Sequence, residues 1–465
     1  MEENVCSNEG KWRMNLVKIN KNIFREYDIR GIYDTDINED VSYTIGRSFA
    51  SYINSENVIV GYDNRLSSKS IYDALTLGLT ESGTNVINLG LVTTPMYYYA
   101  KKKLNVKYGI MITASHNPKD YNGFKISFDY GKNACGKEIT DFYDYTDKLN
   151  FKTGSGFITN YNIHDEYLEN IRKSIFLGRK KIKVVVDLGN GTGSTIIKDV
   201  LDMFNIEYQL LFSESDGTFP NHEADPAVRE NQRFLSEKVK ELSFDFGFAV
   251  DGDADRVGIV DDKGNILSSE YYMILIYKDL FNKIKEKKAI FDVKCSRMLI
   301  DELEKTGYSC FMYRTGASYM GRKINEDNYD FGAEFSGHTW FNDKYLGFDD
   351  GIYAGLRMIE LLSKTDKTLS ELCSDFSKYY SSDEIKIKVT DETKFEIIEK
   401  VKDYVKLKNL KFEGIDGVRV EYEDGWALVR ASNTEPKLTL RFEAKAEDRL
   451  EEIKKEFIDL IESLI

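Results

Sequence analysis

Three aspartates alternate along one short loop. Asp251, Asp253 and Asp255 lie within FGFAVDGDADRVGIVDD, between two apolar stretches that we predict to be strands. Carboxylates this close repel one another unless a cation neutralises them, and oxygen-only ligands favour a hard ion such as Mg²⁺. A calcium EF-hand needs a glycine at its sixth position, a glutamate at its twelfth and flanking helices, and this segment has none of these. A solvated acidic turn is the alternative, but the apolar strands would leave its charge uncompensated.

A serine stands directly before a histidine in MITASHNPKDYNGFKI, residues 111–126. Ser115 lacks the Gly-x-Ser-x-Gly elbow of many hydrolases, and the chain carries no other hydrolase signature for it. We expect the adjacent His116 to project away from the Ser115 side chain, because sequence neighbours rarely form a working pair. The residues alone leave three roles open for Ser115: a nucleophile, a phosphate carrier or a turn-forming hydroxyl.

A polar turn within RASNTEPKLTL is a candidate phosphate site. We place in this turn, between two strands, Arg430, Ser432, Asn433 and Thr434. A guanidinium fork, hydroxyls and exposed backbone N–H groups together can cradle a phosphate dianion. Ordinary hairpin loops share this composition, so the segment is evidence for a phosphate site only together with other segments.

The segment GAEFSGHTWF groups three polar side chains within five residues: Glu334, Ser336 and His338. A carboxylate accepts two hydrogen bonds from vicinal hydroxyls, which suits a sugar ring, and serine and imidazole add adaptable partners. The alternative is that His338 only makes hydrogen bonds within its own loop and binds no ligand.

Arginines and glycines mark three other loops. Arg30 in REYDIRGIY and Arg65 in VGYDNRLSS lie near predicted strand ends. Each arginine can clamp a phosphate, or can pair on the surface with Asp28 or Asp63 respectively. In VVVDLGNGTGS, Ser194 stands at the last glycine of a G-x-G-x-x-G dinucleotide motif, so we expect a tight strand-to-helix turn instead.

Composition limits the class of protein. The 465 residues predict three or four domains, and 42% hydrophobic with 31% charged residues is typical of a soluble globular protein. The net charge of −14 argues against nucleic acid or an anionic membrane as partner, so a phosphate ligand needs a local cationic site. The absence of a signal peptide or spanning run predicts the cytoplasm. Five cysteines without a C-x-x-C pair indicate reduced thiols.

Strand-like and helix-like segments alternate along most of the chain. NVIVGYD, KSIYDALTLGLTESG and NVINLGLV predict strand, helix and strand, and this order returns twice, which indicates three α/β units. The C-terminal segment predicts a smaller α+β domain, whose last helix packs on a sheet through Leu450, Ile453, Phe457, Leu460 and Leu464. We place the domains at 1–163, 164–265, 266–377 and 378–465.

The strings TASHNP, DGDADR, AEFSGH and RASNTEP occur in this order, one in each predicted domain. Together they closely resemble the α-D-phosphohexomutase family, especially its phosphomannomutase/phosphoglucomutase branch. The likeness runs from FREYDIRG to the end of the chain. The expected fold is therefore three similar mixed-sheet α/β domains and a smaller C-terminal α+β domain around a central cleft.

The resemblance also implies an activity. Members of this family interconvert hexose 1-phosphates and hexose 6-phosphates, here those of mannose or glucose. Ser115 would carry a phosphoryl group, and the three aspartates would hold Mg²⁺ next to that phosphate. Hexose 1,6-bisphosphate would be the intermediate and the activator, and sugar phosphates the partners of a monomer or homodimer. A phosphoglucosamine mutase and a non-catalytic sugar-phosphate sensor of the same fold are the alternatives.

Further site residues follow from the same resemblance. Proton transfer or its support is assigned to Arg30, His116, Lys125 and His338. Substrate binding is assigned to Tyr27, Arg256, Lys294, Glu334, Ser336, His338, Arg430, Ser432, Asn433 and Thr434. Ala317 departs from the family, which commonly has a histidine at this position, so an imidazole that could contact substrate is missing.

Overall fold

Four β-sheets follow one another along the chain. The structure is a computed structural model, and it describes residues 14–53, 55–130, 133–433 and 436–465. Within these ranges, no helix is both long and apolar enough to cross a membrane. The cysteines in these ranges, Cys135, Cys295, Cys310 and Cys373, are free thiols, and Cys6 lies outside the described residues.

The first sheet is mixed and has the order β1-β5-β4-β2-β3-β6. Its strands are β1 (Ile29–Ile32), β2 (Asn57–Tyr62), β3 (Asn85–Leu91), β4 (Gly109–Ile112), β5 (Tyr121–Ser127) and β6 (Ile158–Asn160). Its helices are α1 (Glu39–Ile53), α2 (Ser68–Glu81), α3 (Thr94–Lys103) and α4 (Lys137–Thr146). Strand β4 pairs in parallel with β2 and antiparallel with β5. The loop that follows β4, with Ser115, therefore emerges from the middle of the sheet.

The second sheet has the order β11-β10-β9-β7-β8. Its elements are α5 (His164–Ser174), β7 (Lys183–Asp187), α6 (Ile197–Met203), β8 (Glu207–Leu211), α7 (Arg233–Leu242), β9 (Phe246–Val250), β10 (Val257–Asp261) and β11 (Ile266–Leu267). Strands β8, β7 and β9 run parallel, whereas β9, β10 and β11 run antiparallel. The aspartate loop is the hairpin connection between β9 and β10.

The third sheet has the order β13-β12-β14-β15. Its elements are α8 (Ser269–Leu280), β12 (Lys288–Asp292), α9 (Arg297–Thr306), β13 (Ser309–Tyr313), α10 (Ala317–Glu326), β14 (Phe331–Ala333), β15 (Thr339–Phe341), α11 (Gly351–Leu362) and α12 (Leu369–Cys373). The hairpin between β14 and β15 carries the AEFSGH segment.

The fourth sheet is antiparallel, with the order β16-β21-β20-β19-β18 and with β17 also paired to β21. Its elements are β16 (Tyr380–Ser381), β17 (Ile385–Lys388), α13 (Thr393–Leu407), β18 (Phe412–Glu413), β19 (Val418–Glu421), β20 (Gly425–Ala431), β21 (Lys437–Ala444) and α14 (Glu447–Leu464). The expected architecture of three mixed-sheet α/β domains and a smaller α+β domain is thus confirmed.

The hydrophobic cores show how the domains are joined. One cluster runs from one face of the first sheet through the second and third sheets. Helix α11 belongs to this cluster and lies against β9 and β10, where a side chain at Gly355 would meet the ring of Phe248 at 2.7 Å. The fourth sheet and its two helices have a core of their own. The domain boundaries at 163, 265 and 377 remain predictions.

The last helix corrects one detail of the sequence analysis. Leu450, Ile453 and Phe457 are buried as predicted, but the next fully buried residue is Ile461, while Leu460 and Leu464 are only partly buried. Leu460 and Leu464 still pack against the same core, so the predicted stripe is on the buried face and Ile461 is added to it.

Candidate active site

A single cleft of about 1430 Å³ is lined by side chains from all four domains. The predicted site residues that line it are Tyr27, Arg30, Ser115, His116, Lys125, Arg256, Lys294, Glu334, Ser336, His338, Arg430 and Ser432. The loop aspartates at 251, 253 and 255 are fully buried and contact the cleft-lining residues Ser115 and Lys125. Asn433 is partly buried next to the lining, and the predicted Thr434 lies outside the described residues.

Ser115 is held in an unusual backbone conformation at the floor of the cleft. Its φ of 51° lies in the left-handed region, and its N–H donates to Thr113 Oγ1 at 2.8 Å. The Ser115 hydroxyl donates to Asp251 Oδ2 at 2.7 Å and lies 3.3 Å from His116 Nδ1. Our expectation that His116 points away is therefore wrong: the left-handed turn at Ser115 brings the two neighbouring side chains together.

The aspartate loop is shaped by its own backbone. Asp251 Oδ1 accepts from the backbone N–H groups of Asp255 at 3.0 Å and Arg256 at 3.1 Å. Asp253 Oδ2 accepts from the hydroxyl of Thr94, at the start of α3, at 2.6 Å. The sequence analysis missed Thr94: the Thr-Thr-Pro string predicts a helix start, but nothing in it points to an aspartate in another domain.

The three aspartates fit a divalent cation. One carboxylate oxygen from each lies within 4.8 Å of the others. The Oδ1 atoms of Asp253 and Asp255 are buried and accept no hydrogen bond within the described part of the chain. Burial, with the charges of Asp255 and Asp253, raises the pKa of Asp251 well above its ordinary value. Anionic oxygens that repel one another and lack donors are suitable ligands for a hard ion.

Lys125 on β5 provides the positive charge nearest to these carboxylates. Its Nζ lies 2.7 Å from Asp253 Oδ2 and 2.5 Å from Asp255 Oδ2. Burial disfavours the ammonium, but these two carboxylates outweigh burial and raise the pKa of Lys125 well above its ordinary value. In this arrangement Lys125 is a proton-bearing cation, and its predicted role in proton transfer stays a prediction.

His338 lies between an arginine and an aspartate. Arg256 Nε is 3.0 Å from His338 Nε2, and His338 Nδ1 is 2.9 Å from Asp349 Oδ2. A guanidinium only donates, so Nε2 accepts, and the neutral imidazole carries its proton on Nδ1, facing Asp349. Asp349 was not predicted, since it precedes the Asp350 cap of α11 and reads as part of a helix start.

The hairpin after β14 presents a carboxylate to the cleft. Glu334 Oε1 accepts from the backbone N–H of Gly316 at 2.7 Å, and its Oε2 accepts from Ser336 Oγ at 3.1 Å. Burial raises the pKa of Glu334, and the charge of Asp292 raises it further. Each carboxylate oxygen therefore has one protein donor, and its remaining lone pair can accept from a ligand hydroxyl.

Lys294 and Tyr27, which line the cleft, are held in place by neighbouring residues. Lys294 Nζ lies 3.2 Å from Glu384 Oε1, and this charge outweighs burial and raises the pKa of Lys294. Tyr27 packs so closely on Gly316 that an added Cβ there would lie 3.0 Å from the ring. Burial, followed by the charge of Asp28, raises the pKa of Tyr27.

Arg30 and Arg65, the two arginines that the sequence analysis singled out in the first domain, have different partners. Arg30 lines the cleft, lies 2.7 Å from Asp28 and donates to Asn117 Oδ1 at 2.8 Å. Arg65 has a fully buried side chain 3.3 Å from Asp63, and it does not belong to the described lining of the cleft. The predicted pairing of Arg65 with Asp63 is therefore present, but the ion pair is buried rather than on the surface, and Arg65 is not among the residues that line the cleft.

The RASNTEP turn of the fourth domain is held by hydrogen bonds with residues before and after it. Arg430 lies within β20 rather than in the turn as predicted, and its Nε donates to Asp416 Oδ2 at 3.0 Å. The N–H of Ser432 donates to the carbonyl of Lys437 at 2.9 Å, and Lys394 Nζ donates to the carbonyl of Ser432 at 2.8 Å. Asp416 and Lys394 were missed because both lie in other segments.

Two glycines permit the close approach of the loops. A Cβ at Gly252, in the aspartate loop, would lie 2.5 Å from the carbonyl oxygen of Ser115. A Cβ at Gly191 would lie 2.7 Å from the carbonyl oxygen of Gly252. The glycine-rich string of the second domain is the expected tight turn after β7, and it also supports the aspartate loop from behind.

Ala317 begins α10 and lines the cleft with a methyl group. His116 and His338 are the histidines among the described residues of the lining.

Comparisons with known proteins agree with this geometry. Family models described as phosphoglucomutase/phosphomannomutase match all four parts of the chain: alpha/beta/alpha domain I at residues 21–153, domain II at 165–264, domain III at 268–380 and the C-terminal domain at 384–460. A phosphomannomutase/phosphoglucomutase from Pseudomonas syringae pv. tomato is 42% identical over 434 residues, which cover 93% of this chain and 93% of that protein.

A phosphoglucomutase from Neisseria gonorrhoeae is 36% identical over 460 residues, which cover 96% of this chain and 98% of that protein. The crystal structure of a phosphoglucomutase/phosphomannomutase family protein from Burkholderia thailandensis superposes with a TM-score of 0.88 at 34% identity, covering 96% of this chain and 98% of that chain. The four domain matches and these relatives lead to one conclusion: the chain belongs to the phosphoglucomutase/phosphomannomutase family.

Proposed function

We propose that the protein is a phosphohexomutase that interconverts the 1-phosphate and the 6-phosphate of mannose, glucose or both. One observation carries the proposal. The Ser115 hydroxyl lies 2.7 Å from a carboxylate of the aspartate cluster, at the floor of a cleft to which all four domains contribute. Such a site suits a serine that carries a phosphoryl group between the two ends of one sugar.

Phosphoryl transfer depends mainly on in-line positioning and on neutralising the equatorial oxygens. Asp251, Asp253 and Asp255, with Ser115, would hold Mg²⁺, which withdraws charge from phosphoryl oxygens when bound. Arg256 supplies a fixed guanidinium 3.9 Å from Asp251, at the same end of the cleft. A cleft that surrounds the sugar also keeps water from the phosphoserine.

The reaction moves protons as well as phosphate. We assign His338 as an acceptor of the sugar hydroxyl proton through Nε2, which takes up the proton once Arg256 releases the hydrogen bond that it donates to this nitrogen. Lys125 is the second candidate, because a cation bound by the aspartates competes for its partners. His116 lies beside Ser115 and Arg30 binds Asn117 of the same loop, and both would support the phosphoryl group. A guanidinium resists deprotonation, so Arg30 acts through charge.

Binding residues lie on both sides of the reacting end. Glu334 and Ser336, with Lys294 and Tyr27 beside them, would accept and donate hydrogen bonds to ring hydroxyls. The phosphate that is not reacting would bind at the fourth domain, through Arg430, Ser432, Asn433 and Thr434. A sugar bisphosphate that turns over within the cleft presents its other phosphate to Ser115 and the same ring hydroxyls to Glu334.

The proposal has three further parts. They comprise hexose 1,6-bisphosphate as activator, a monomer or homodimer in the cytoplasm, and domain boundaries after 163, 265 and 377. Sugar phosphates as ligands agree with the cationic groups of the cleft in a chain whose net charge is −14.

Purified protein with Mg²⁺ and a trace of glucose 1,6-bisphosphate tests the activity. Glucose 1-phosphate and mannose 1-phosphate should be converted to the 6-phosphates, and the intact protein should carry the mass of one phosphoryl group that phosphatase removes. Ser115→Ala should lose both properties, whereas Ser155→Ala, an exposed serine of the same domain, should keep them. No conversion of either sugar by phosphorylated protein would contradict the proposal.

The same assay separates the alternatives. Faster turnover of glucosamine 1-phosphate than of either neutral sugar would identify a phosphoglucosamine mutase. Binding of sugar phosphates without turnover and without phosphoserine would identify a sensor.

A further inference from the structure

The VGYDNRLSS segment contains a buried arginine whose bonds explain how Ser115 is presented. Arg65 Nη2 donates to the carbonyl of Ser115 at 2.9 Å and to that of Asn117 at 2.6 Å. Its Nη1 donates to the carbonyl of Pro118 at 2.6 Å and to that of Tyr121 at 3.1 Å. One guanidinium thus joins three carbonyls of the loop that follows β4 and the carbonyl of the first residue of β5.

These bonds determine which way the loop faces. Because the carbonyls turn inward to Arg65, the Ser115 side chain turns outward to Asp251. The left-handed φ of 51° at Ser115 is disfavoured for a residue with a Cβ, so it persists only where surrounding contacts impose it. The bond from Arg65 to the Ser115 carbonyl is such a contact.

Arg65 also sets the distance between two domains. The Ser115 carbonyl lies between the Arg65 guanidinium and the backbone of Gly252. The contact with Gly252 is so close that a Cβ added to this glycine would be 2.5 Å from the Ser115 carbonyl oxygen. On its other side the guanidinium lies over the Phe219 ring of the second domain, 5.1 Å from the ring centroid. The neighbouring Asn64 donates to the carbonyl of Asn190 at 2.7 Å, which fastens the same segment to the second domain.

We propose that Arg65 is a positioning residue for phosphoryl transfer, whose guanidinium holds the Ser115 hydroxyl in line with the incoming phosphoryl group. The inference rests on the proposed function and adds a role for a residue that touches no substrate. Only arginine suits this role. Its planar fork reaches several acceptors at once, whereas a lysine ammonium is a single point with three donors.

The reaction to follow is the loading of dephosphorylated protein by glucose 1,6-bisphosphate with Mg²⁺. A P–O bond to the sugar breaks and a P–O bond to Ser115 Oγ forms, while the hydroxyl proton passes to the sugar oxygen and leaves glucose monophosphate. Rapid quenching and intact mass give both the rate constant and the final phosphorylated fraction. A displacement of about 1 Å costs about 100-fold in rate, so Arg65→Lys should lower the rate constant about 100-fold.

Two further readouts distinguish positioning from folding. The final phosphorylated fraction should stay complete, and KM for glucose 1-phosphate should stay within about threefold, because Arg65 contacts no ligand. The matched control is Arg47→Lys, which alters a half-buried arginine of the same domain bound to Tyr43, Ser82 and the Lys152 carbonyl. That variant should keep the rate constant within about twofold.

An unchanged rate constant in Arg65→Lys, with or without a smaller phosphorylated fraction, would overturn the proposal, because it leaves Arg65 only a role in stability. If Arg65→Lys does not fold, Phe219→Leu removes the ring beneath the guanidinium and keeps all its hydrogen bonds. Phe219→Leu should slow loading about fivefold, because the Arg65 guanidinium then has no aromatic ring against it and is held less firmly. An unchanged loading rate would again contradict a positioning role for Arg65. If wild-type protein gains no phosphoryl group at all, the proposed function fails first.

Discussion

The pairing of Lys125 with the aspartate cluster leads to a prediction about metal and stability. In Lys125→Met, the carboxylates of Asp253 and Asp255 lose the cation that lies 2.7 and 2.5 Å away. Both aspartates are fully buried, and breaking a buried ion pair from one side costs about 3–5 kcal/mol. For a unit of about 150–250 residues, 1 kcal/mol corresponds to about 2–4 °C in Tm, so the metal-free variant should melt about 6–20 °C lower.

Mg²⁺ should reverse most of this loss. A ligand that binds only the folded state stabilises it by RT ln(1 + c/Kd), where c is the free ligand concentration, and the variant has no ammonium that competes with Mg²⁺ for the same oxygens. The Tm increase between EDTA and saturating Mg²⁺ should therefore be larger in Lys125→Met than in wild-type protein. Calorimetry in the two buffers measures both differences, read at the first unfolding transition.

Lys101→Met is the matched control for this experiment. Lys101 is also buried in the first domain, but its Nζ donates to the backbone carbonyl of Asp129 at 3.0 Å, and burial lowers its pKa to about 7. Its Tm change should be the same with and without Mg²⁺. If Lys125→Met loses equal stability in both buffers, or none in EDTA, the assignment of one shared cation site to Lys125 and the aspartates is refuted.

Three other predictions concern the site and its support. Gly252→Ala places a Cβ 2.5 Å from the Ser115 carbonyl oxygen and should lower kcat about 100-fold. Gly414→Ala is the control, because its Cβ would be 3.5 Å from the nearest neighbouring atom, and it should leave kcat unchanged. Equal kcat values for the two variants would contradict the proposed effect of the loop contact. Glu334→Gln loses one acceptor for ring hydroxyls, so KM for glucose 1-phosphate should rise about tenfold while Tm stays the same. An unaltered KM would show that Glu334 does not bind the sugar. Burial raises the pKa of Asp350 to about 6, above its unfolded value of 3.8, so its contribution to stability is fully present below pH 3.8 and is lost as the pH rises through about 6. Asp350→Asn, which keeps an oxygen for the Tyr353 N–H, should therefore gain up to about 3 kcal/mol relative to wild type between pH 4 and 7, and a difference independent of pH in denaturant titrations would contradict this.

Short segments of the sequence were enough to predict most of the fold and the chemical character of the site. The period of the apolar residues was enough to predict β2, α2 and β3 within a residue or two, because hydrophobic patterning records which face of an element is buried. The three loop aspartates and the Glu-x-Ser pair were also found from spacing alone, because their members share one loop.

Partners that are far apart in the chain could not be found in this way. Thr94 and Lys125 meet Asp253 across more than a hundred residues, and Asp349, which lies next to His338, belongs to none of the segments that the sequence analysis singled out. The predicted pairing of Arg65 with Asp63 is present, but its hydrogen bonds to four backbone carbonyls were missed, because such contacts are not visible as a residue pattern. Spacing specifies neighbours within an element, whereas contacts between elements depend on how the sheets and loops pack.

The sequence by itself determined the alternation of elements, the acidic, hydroxyl-bearing and cationic character of each loop, and the family resemblance. Only the tertiary structure decided that His116 turns toward Ser115, that Lys125 neutralises the aspartates and that Ile461 joins the buried face of the last helix. The physical reason is common to all three. A side chain's direction and its electrostatic partners are fixed by backbone conformation and by packing with distant segments, and these are set when the whole chain folds.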